Sequence, residues 1–239
     1  MTELLYHTDS YLQEFTARVI SVNEAARSVV LDRTAFYPGR GGQPCDFGTL
    51  TAGNIFWPVE KTKKDGDAVD HFLAGTDPLP QVGQEITGKL DWQRRYRLMR
   101  THTAMHILCG VIFRDYGAQV TGGDMDIQQA RMDFEFESMS RELVEVIEQA
   151  VNREVEKNLP IRVQILPREE AFKIPDLIRT KINLLPPGIP FVRTLEIVGL
   201  DLQADGGTHV HSTAEVGVIH LVDYKSKGKI NKRLYVELD

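Results

Sequence analysis

His102 and His106 stand four residues apart in Arg100-Thr101-His102-Thr103-Ala104-Met105-His106-Ile107-Leu108, a stretch patterned as a helix. At that spacing both imidazoles leave one helix face, with Cβ atoms roughly 5 to 6 Å apart, near enough to share a metal ion. A second stretch, Asp205-Gly206-Gly207-Thr208-His209, offers a carboxylate and an imidazole four residues apart across a double glycine. Zinc accepts both donor types, usually four of them in a tetrahedron. Two ligands from a helix and two from a turn would complete one site. Each residue also has a plainer explanation: chance pairing on a helix flank for His102 and His106, a turn cap for Asp205, a satisfied core histidine for His209.

The histidine spacing is that of the HExxH zinc proteases, but Thr103 stands where those enzymes carry their general-base glutamate, which disfavours a protease mechanism. Upstream, Phe36-Tyr37-Pro38-Gly39-Arg40-Gly41-Gly42-Gln43-Pro44 holds three glycines and two prolines in nine residues. Glycines let backbone N–H groups approach a ligand, and Gln43 can both donate and accept hydrogen bonds. The spacing and lysine of a phosphate loop are absent. Taken alone, the loop is explained by a Gly-Pro turn between strands.

The elements that must position these residues fall into two groups. Residues 1–89 read as β-rich. Phe15 to Val22 alternates like a strand, Ser28 to Asp32 is its partner, and further runs follow at Asn54–Val59, Ala68–Leu73 and Gly83–Leu90. Short, closely spaced strands predict a small barrel or sandwich. From residue 90 the character changes. Residues 92–114 lack proline and predict helix up to Gly117, which places His102 and His106 near the start of a second domain, 90–239. Ser140 caps a second predicted helix reaching about Asn158. Strand candidates are Ala130–Phe136, Ile161–Leu166, Phe191–Val198, Glu215–Asp223 and Ile230–Glu237. The expected class is α+β: an N-terminal β-barrel-like domain, then an α+β domain with antiparallel sheet and a metal-binding helix.

With 42% hydrophobic and 26% charged residues in 239, the chain is compositionally an ordinary folded protein. No apolar run is long enough to span a bilayer and the N-terminus lacks a signal-peptide pattern, so the expectation is a cytoplasmic protein with no membrane partner. Two cysteines, Cys45 and Cys109, exclude a disulfide framework and a Cys-rich zinc finger. A net charge of −6 argues against gripping nucleic acid through bulk positive charge. Local runs are basic, however: Arg94, Arg95, Arg97 and Arg100 precede the histidine pair, and Lys225, Lys227, Lys229, Lys232 and Arg233 lie near the C-terminus.

Taken together and in order, FYPGRGGQP, HTAMH and DGGTHV with its continuation His211-Ser212-Thr213 resemble the free-standing alanyl-tRNA editing proteins of the AlaX group. These are relatives of the editing domains of alanyl- and threonyl-tRNA synthetases. The resemblance covers nearly the whole chain, and Gly228–Glu237 is similar to the basic hairpin that closes such domains. It implies trans-editing: hydrolysis of the ester that joins serine or glycine to the 3′ end of tRNA(Ala). It implies Zn2+ as cofactor, with His102, His106 and His209 as ligands and Asp205 standing where the family pattern has cysteine. Gly41, Gly42, Gln43 and Arg100 are the implied substrate-binding residues, with Gln43 and Thr103 as the catalytic candidates. Thr34 and Thr103 are candidate partners for a serine hydroxyl, and Arg94, Arg95, Lys225 and Lys229 are candidate tRNA contacts. The alternatives are a zinc-stabilised tRNA-binding module without catalysis and a zinc hydrolase acting on another small ester or amide. Oligomeric state is not legible in the sequence.

Overall fold

Alternation of apolar and polar residues builds the first unit. Its strands are β1 (Glu3–Leu4), β2 (Glu14–Asn23), β3 (Ser28–Leu31), β4 (Arg33–Thr34), β5 (Gly48–Ala52), β6 (Ile55–Asp65), β7 (Ala68–Leu73) and β8 (Glu85–Leu90). In β2, Phe15, Ala17 and Val19 are buried while Glu14, Thr16 and Arg18 face out, the period of two that a strand with one wet face requires. Six strands close into an antiparallel barrel in the order β2-β3-β7-β6-β5-β8. Closure depends on β2 serving two neighbours. Its first half pairs with β8 and its second half with β3, and a register shift between Val19 and Ser21 bends it from one to the other. Phe15, Leu31, Phe36, Leu50, Trp57, Val59 and Ile86 fill the interior.

The computed structural model describes residues 1–181, 185 and 188–239, and these form two compact units, Met1–Tyr96 and Arg97–Asp239. The division falls inside helix α1 (Trp92–Tyr116), a few residues beyond position 90. Asp91 starts this helix by accepting from the Arg94 amide at 3.1 Å. Gly117 ends it in the left-handed conformation, φ +65°, its N–H bonded to the Phe113 carbonyl. Between these signals, Leu98, Met99, Ala104, Ile107, Leu108, Val111 and Ile112 are all buried, so α1 is covered around most of its circumference.

The second unit continues with β9 (Val120–Asp126), β10 (Gln129–Glu135), α2 (Arg141–Glu156), β11 (Ile161–Pro167), the single-turn α3 (Arg168–Ala171), β12 (Phe191–Ile197), β13 (Asp201–Ala204), β14 (Ile219–Ser226) and β15 (Asn231–Leu238). Two antiparallel sheets result, β14-β15-β10-β9 and β11-β12-β13. The Ser140 hydroxyl caps α2 by accepting from the Leu143 amide at 3.2 Å. Asn152 ties the helix to β14 by bonding both the amide and the carbonyl of Ile219.

The α+β class and the barrel agree with the expectation. One strand start is corrected: the chain from Thr213 to Val216 is a 3-10 turn boxed by Ser212 and Glu215, and β14 begins only at Ile219. The Ser-x-x-Glu spacing is a capping signal that outweighs the β-prone residues around it. Among the described residues no helix is long and apolar enough to cross a membrane.

Candidate metal centre

His102, Thr103 and His106 come from α1, and Asp205 and His209 from the turn that follows β13, all within the second unit. One ligand atom from each of His102, His106, Asp205 and His209 lies within 4.8 Å of all the others. The His102 and His106 Nε2 atoms stand 3.5 and 3.8 Å from Asp205 Oδ1, and His209 Nε2 stands 3.0 Å from Asp205 Oδ2. The His102 and His209 rings stack with centroids 4.2 Å apart, and His106 meets both edge-on.

The turn sequence explains the presentation of Asp205. Its Oδ2 accepts from the Gly207 amide at 2.6 Å, a local bond that aspartate makes two residues along a turn. Arg193 on β12 donates to the Asp205 carbonyl at 3.0 Å and lies 3.4 Å from Oδ2. Oδ1 is thereby left facing His102 and His106. Behind the rings, Thr103 Oγ1 bonds His209 Nδ1 at 3.1 Å, Asp201 Oδ2 accepts from His106 Nδ1 at 3.3 Å, and His102 bonds the Thr208 backbone.

Burial sets the charge states. It pushes His102 down to about 4 against the pull of Asp205. It also carries His209 well below the ordinary histidine value, with the neighbouring His102 adding to the effect. Burial alone would raise Asp205, but the His102 and His209 imidazoles outweigh it and hold the carboxyl well below its ordinary range. Burial likewise disfavours charge on His106, yet bonds to Asp201 and Asp205 prevail and push it up to about 9. At neutral pH the cluster thus has two neutral imidazoles, one carboxylate and one proton held between His106 and its acidic neighbours. Three nitrogen donors and one oxygen, buried and converging, fit a divalent cation, whose binding displaces that proton.

The other predicted residues lie as follows. Gly41 and Gly42, with φ +58° and +89°, form the two-residue tip of a tight turn closed by reciprocal backbone bonds between Arg40 and Gln43, and the Gln43 side chain is buried. These residues belong to the first unit. Arg100 donates to the carbonyls of Val216 and Asp239. Thr34 accepts from the Phe36 amide and bonds His71 Nε2 at 2.8 Å, inside the barrel unit. Arg95 is corrected as a tRNA contact: it is 0% exposed, paired with Asp46, and donates to the carbonyls of Ser10 and Ala35. Arg94 bonds the Cys45 carbonyl and lies over the Phe47 ring at 4.1 Å.

Sequence reading missed Asp201, Gln203 and Arg193. The available signal was the period of two in Asp201-Leu202-Gln203-Ala204-Asp205, which puts alternate polar residues on one side of a strand.

A barrel unit followed by an α+β unit whose three histidines and one aspartate converge closely enough to hold a metal ion sets the class of the protein. Residues 7–94 match the family of tRNA synthetases class II (A). Residues 192–235, which include Asp205 and His209, match the threonyl and alanyl tRNA synthetase second additional domain. The chain is 41% identical to the alanyl-tRNA editing protein AlaX-M of Saccharolobus solfataricus over 237 residues, 98% of each chain. It is 39% identical to that of Methanosarcina mazei over 246 residues, 100% of this chain and 97% of the other. Against the alanine–tRNA ligase of Ignicoccus hospitalis it is 37% identical over 227 residues, which are 92% of this chain and 24% of the ligase. The chain belongs to the AlaX-M family of alanyl-tRNA editing proteins.

Proposed function

We propose that the protein is a trans-editing hydrolase that deacylates mischarged tRNA(Ala), with Ser-tRNA(Ala) and Gly-tRNA(Ala) as substrates. Water adds across the acyl C–O bond, freeing the amino acid and restoring the hydroxyl at the tRNA 3′ end. The observation that carries this reading is the convergence of His102, His106, Asp205 and His209 in a chain that is similar over its full length to proteins named for alanyl-tRNA editing.

The donor set suits zinc, held by the three imidazoles and Asp205. The chemistry such an ion supplies is Lewis-acid polarisation of a carbonyl or water oxygen. An aminoacyl ester is already activated, so placement of substrate and water accounts for much of the remaining barrier. The bond from Thr103 to His209 supports a positioning role for Thr103, acting through the imidazole. Arg100, bonded to the Val216 and Asp239 carbonyls, acts in this reading by holding those segments. Gln43 and the Gly41–Gly42 backbone are proposed to hydrogen-bond the substrate. A site that bonds the serine hydroxyl can reject alanine far more strongly than size alone, which gives about 1 to 3 kcal/mol per methylene.

The test is hydrolysis of Ser-, Gly- and Ala-tRNA(Ala) with and without chelator. Turnover of the first two, lost with chelator or in His102→Ala, is expected. Turnover of none overturns the editing reading, and turnover indifferent to chelator and to His102→Ala overturns its metal part. Gln43→Ala is expected to lower turnover with metal content unchanged. Asp205, where the family pattern has cysteine, favours one second reading, tRNA binding without catalysis, which would appear as tRNA binding with no deacylation.

A further inference from the structure

Gly110 lies one helical turn beyond His106 on α1, where the chain of β13 passes against the helix. A Cβ on Gly110 would stand 2.9 Å from the Asp201 Cβ and 3.0 Å from Leu200 Cγ, closer than packed carbons come. Glycine is a poor helix former, and here its missing side chain is what lets Asp201 reach the helix. The Asp201 side chain is 1% exposed and its Oδ2 lies 3.3 Å from His106 Nδ1. It is held in turn by Gln203 Nε2 at 2.6 Å and by Arg179 Nε at 3.4 Å, and the Arg179 guanidinium stacks on the Phe113 ring at 3.7 Å. A carboxylate can only accept, so the His106 proton at this contact resides on Nδ1. Nε2, which faces Asp205, is then the nitrogen that gives up its proton when an ion binds.

We propose that Asp201 is a positioning residue for the metal centre, fixing the tautomer and ring orientation of His106, and that Gly110 is the gap in α1 that admits it. The inference rests on the metal reading above. Outer carboxylates on ligating histidines act in this way generally, and losing one weakens metal binding about 10- to 100-fold.

The test measures zinc affinity of the full chain by chelator competition, together with the His106 ring nitrogens by long-range 15N–1H correlation before zinc is added, at a pH above the value of about 9 to which His106 is raised, where its ring is neutral. Asp201→Ala is expected to lower affinity about 10- to 100-fold and to shift His106 away from the Nδ1–H tautomer. Asp201→Asn, whose amide oxygen still accepts, is expected to restore much of both. Gly110→Ala, which displaces Asp201 without altering its chemistry, is expected to reproduce the Asp201→Ala result, and it keeps the test open should Asp201→Ala fail to fold. Tight binding by the unsubstituted chain, with affinity within about threefold and an unchanged tautomer in Asp201→Ala and Gly110→Ala, overturns this inference alone. No zinc binding by the unsubstituted chain overturns the metal reading and this inference with it.

Discussion

Asp205 uses its two oxygens differently: Oδ2 is occupied by the Gly207 amide, His209 and Arg193, while Oδ1 is presented to His102 and His106. In the proposed centre a carboxylate so held would be a hard, single-oxygen donor, unlike a soft thiolate. Asp205→Ala is expected to lose zinc affinity at least about 100-fold, as befits a ligand whose outer partners alone are worth up to that factor. Asp205→Cys is expected to gain affinity for cadmium more than for manganese. Chelator competition with each ion checks both variants, and an unchanged ratio of the two ions would remove Asp205 from the ligand set. A second residue-scale prediction concerns His71, which is buried in the first unit between Thr34 and the Val29 carbonyl. Burial lowers it from 6.5 to about 4. In that interval the unfolded chain binds a proton that the folded chain refuses, so this group's contribution is intact above pH 6.5 and is lost as pH falls toward 4. The loss amounts to about 3 kcal/mol. Relative to the unsubstituted chain, His71→Gln is expected to gain stability between pH 7 and pH 4 in denaturant melts; parallel pH profiles would refute the assignment.

At the scale of elements, the glycine-rich loop is held by a buried ion pair and not by its glycines alone. Asp46 accepts from the Tyr37 amide at 2.6 Å and from Arg95, and Arg95 also grips the Ser10 and Ala35 carbonyls, so one guanidinium fixes both ends of the segment. Removing it leaves Asp46 buried and unpaired, which typically costs 3 to 5 kcal/mol, and Arg95→Ala is expected to destabilise the first unit by about that much in urea. Ser140→Ala is a milder test: loss of the cap on α2 should cost about 1 kcal/mol. These two cases mark how far the sequence could be read. Ser140 was legible because an N-cap is a local device, as were α1, with Asp91 before it and Gly117 after it, and the alternating strands of the barrel. Arg95 read as one of four surface arginines because its partner stands 49 residues away in the chain. The four residues of the His102, His106, Asp205 and His209 cluster were legible as two pairs, each set by local spacing, whereas Asp201 meets His106 only through the fold, across the gap at Gly110. Short strands such as β5 and β13, rich in glycine or polar residues, show no apolar run and are defined by their pairing partners.

At the scale of the whole chain, two compact units carry different reporters, and this permits a separation of metal effects. Both tryptophans, Trp57 and Trp92, belong to the first unit, and the four proposed ligands belong to the second. A ligand that binds only the folded form stabilises it by about 4 kcal/mol when present at roughly 1,000 times its dissociation constant. Ligation by the proposed centre would bridge α1 and the turn after β13, so that stabilisation should fall on the amides of these segments. Chelation is accordingly expected to speed hydrogen exchange in residues 97–112 and 201–213, while β3 and β7, paired with each other within the closed barrel, keep their protection. Melting followed by the fluorescence of Trp57 in a Trp92→Phe variant, which removes the tryptophan that lies on α1 itself, should move little with chelator, and melting followed by helical circular dichroism should move down. Equal loss of protection in both units would show that the metal supports the chain as one cooperative body, and no change in either would remove the four residues from any role in holding an ion.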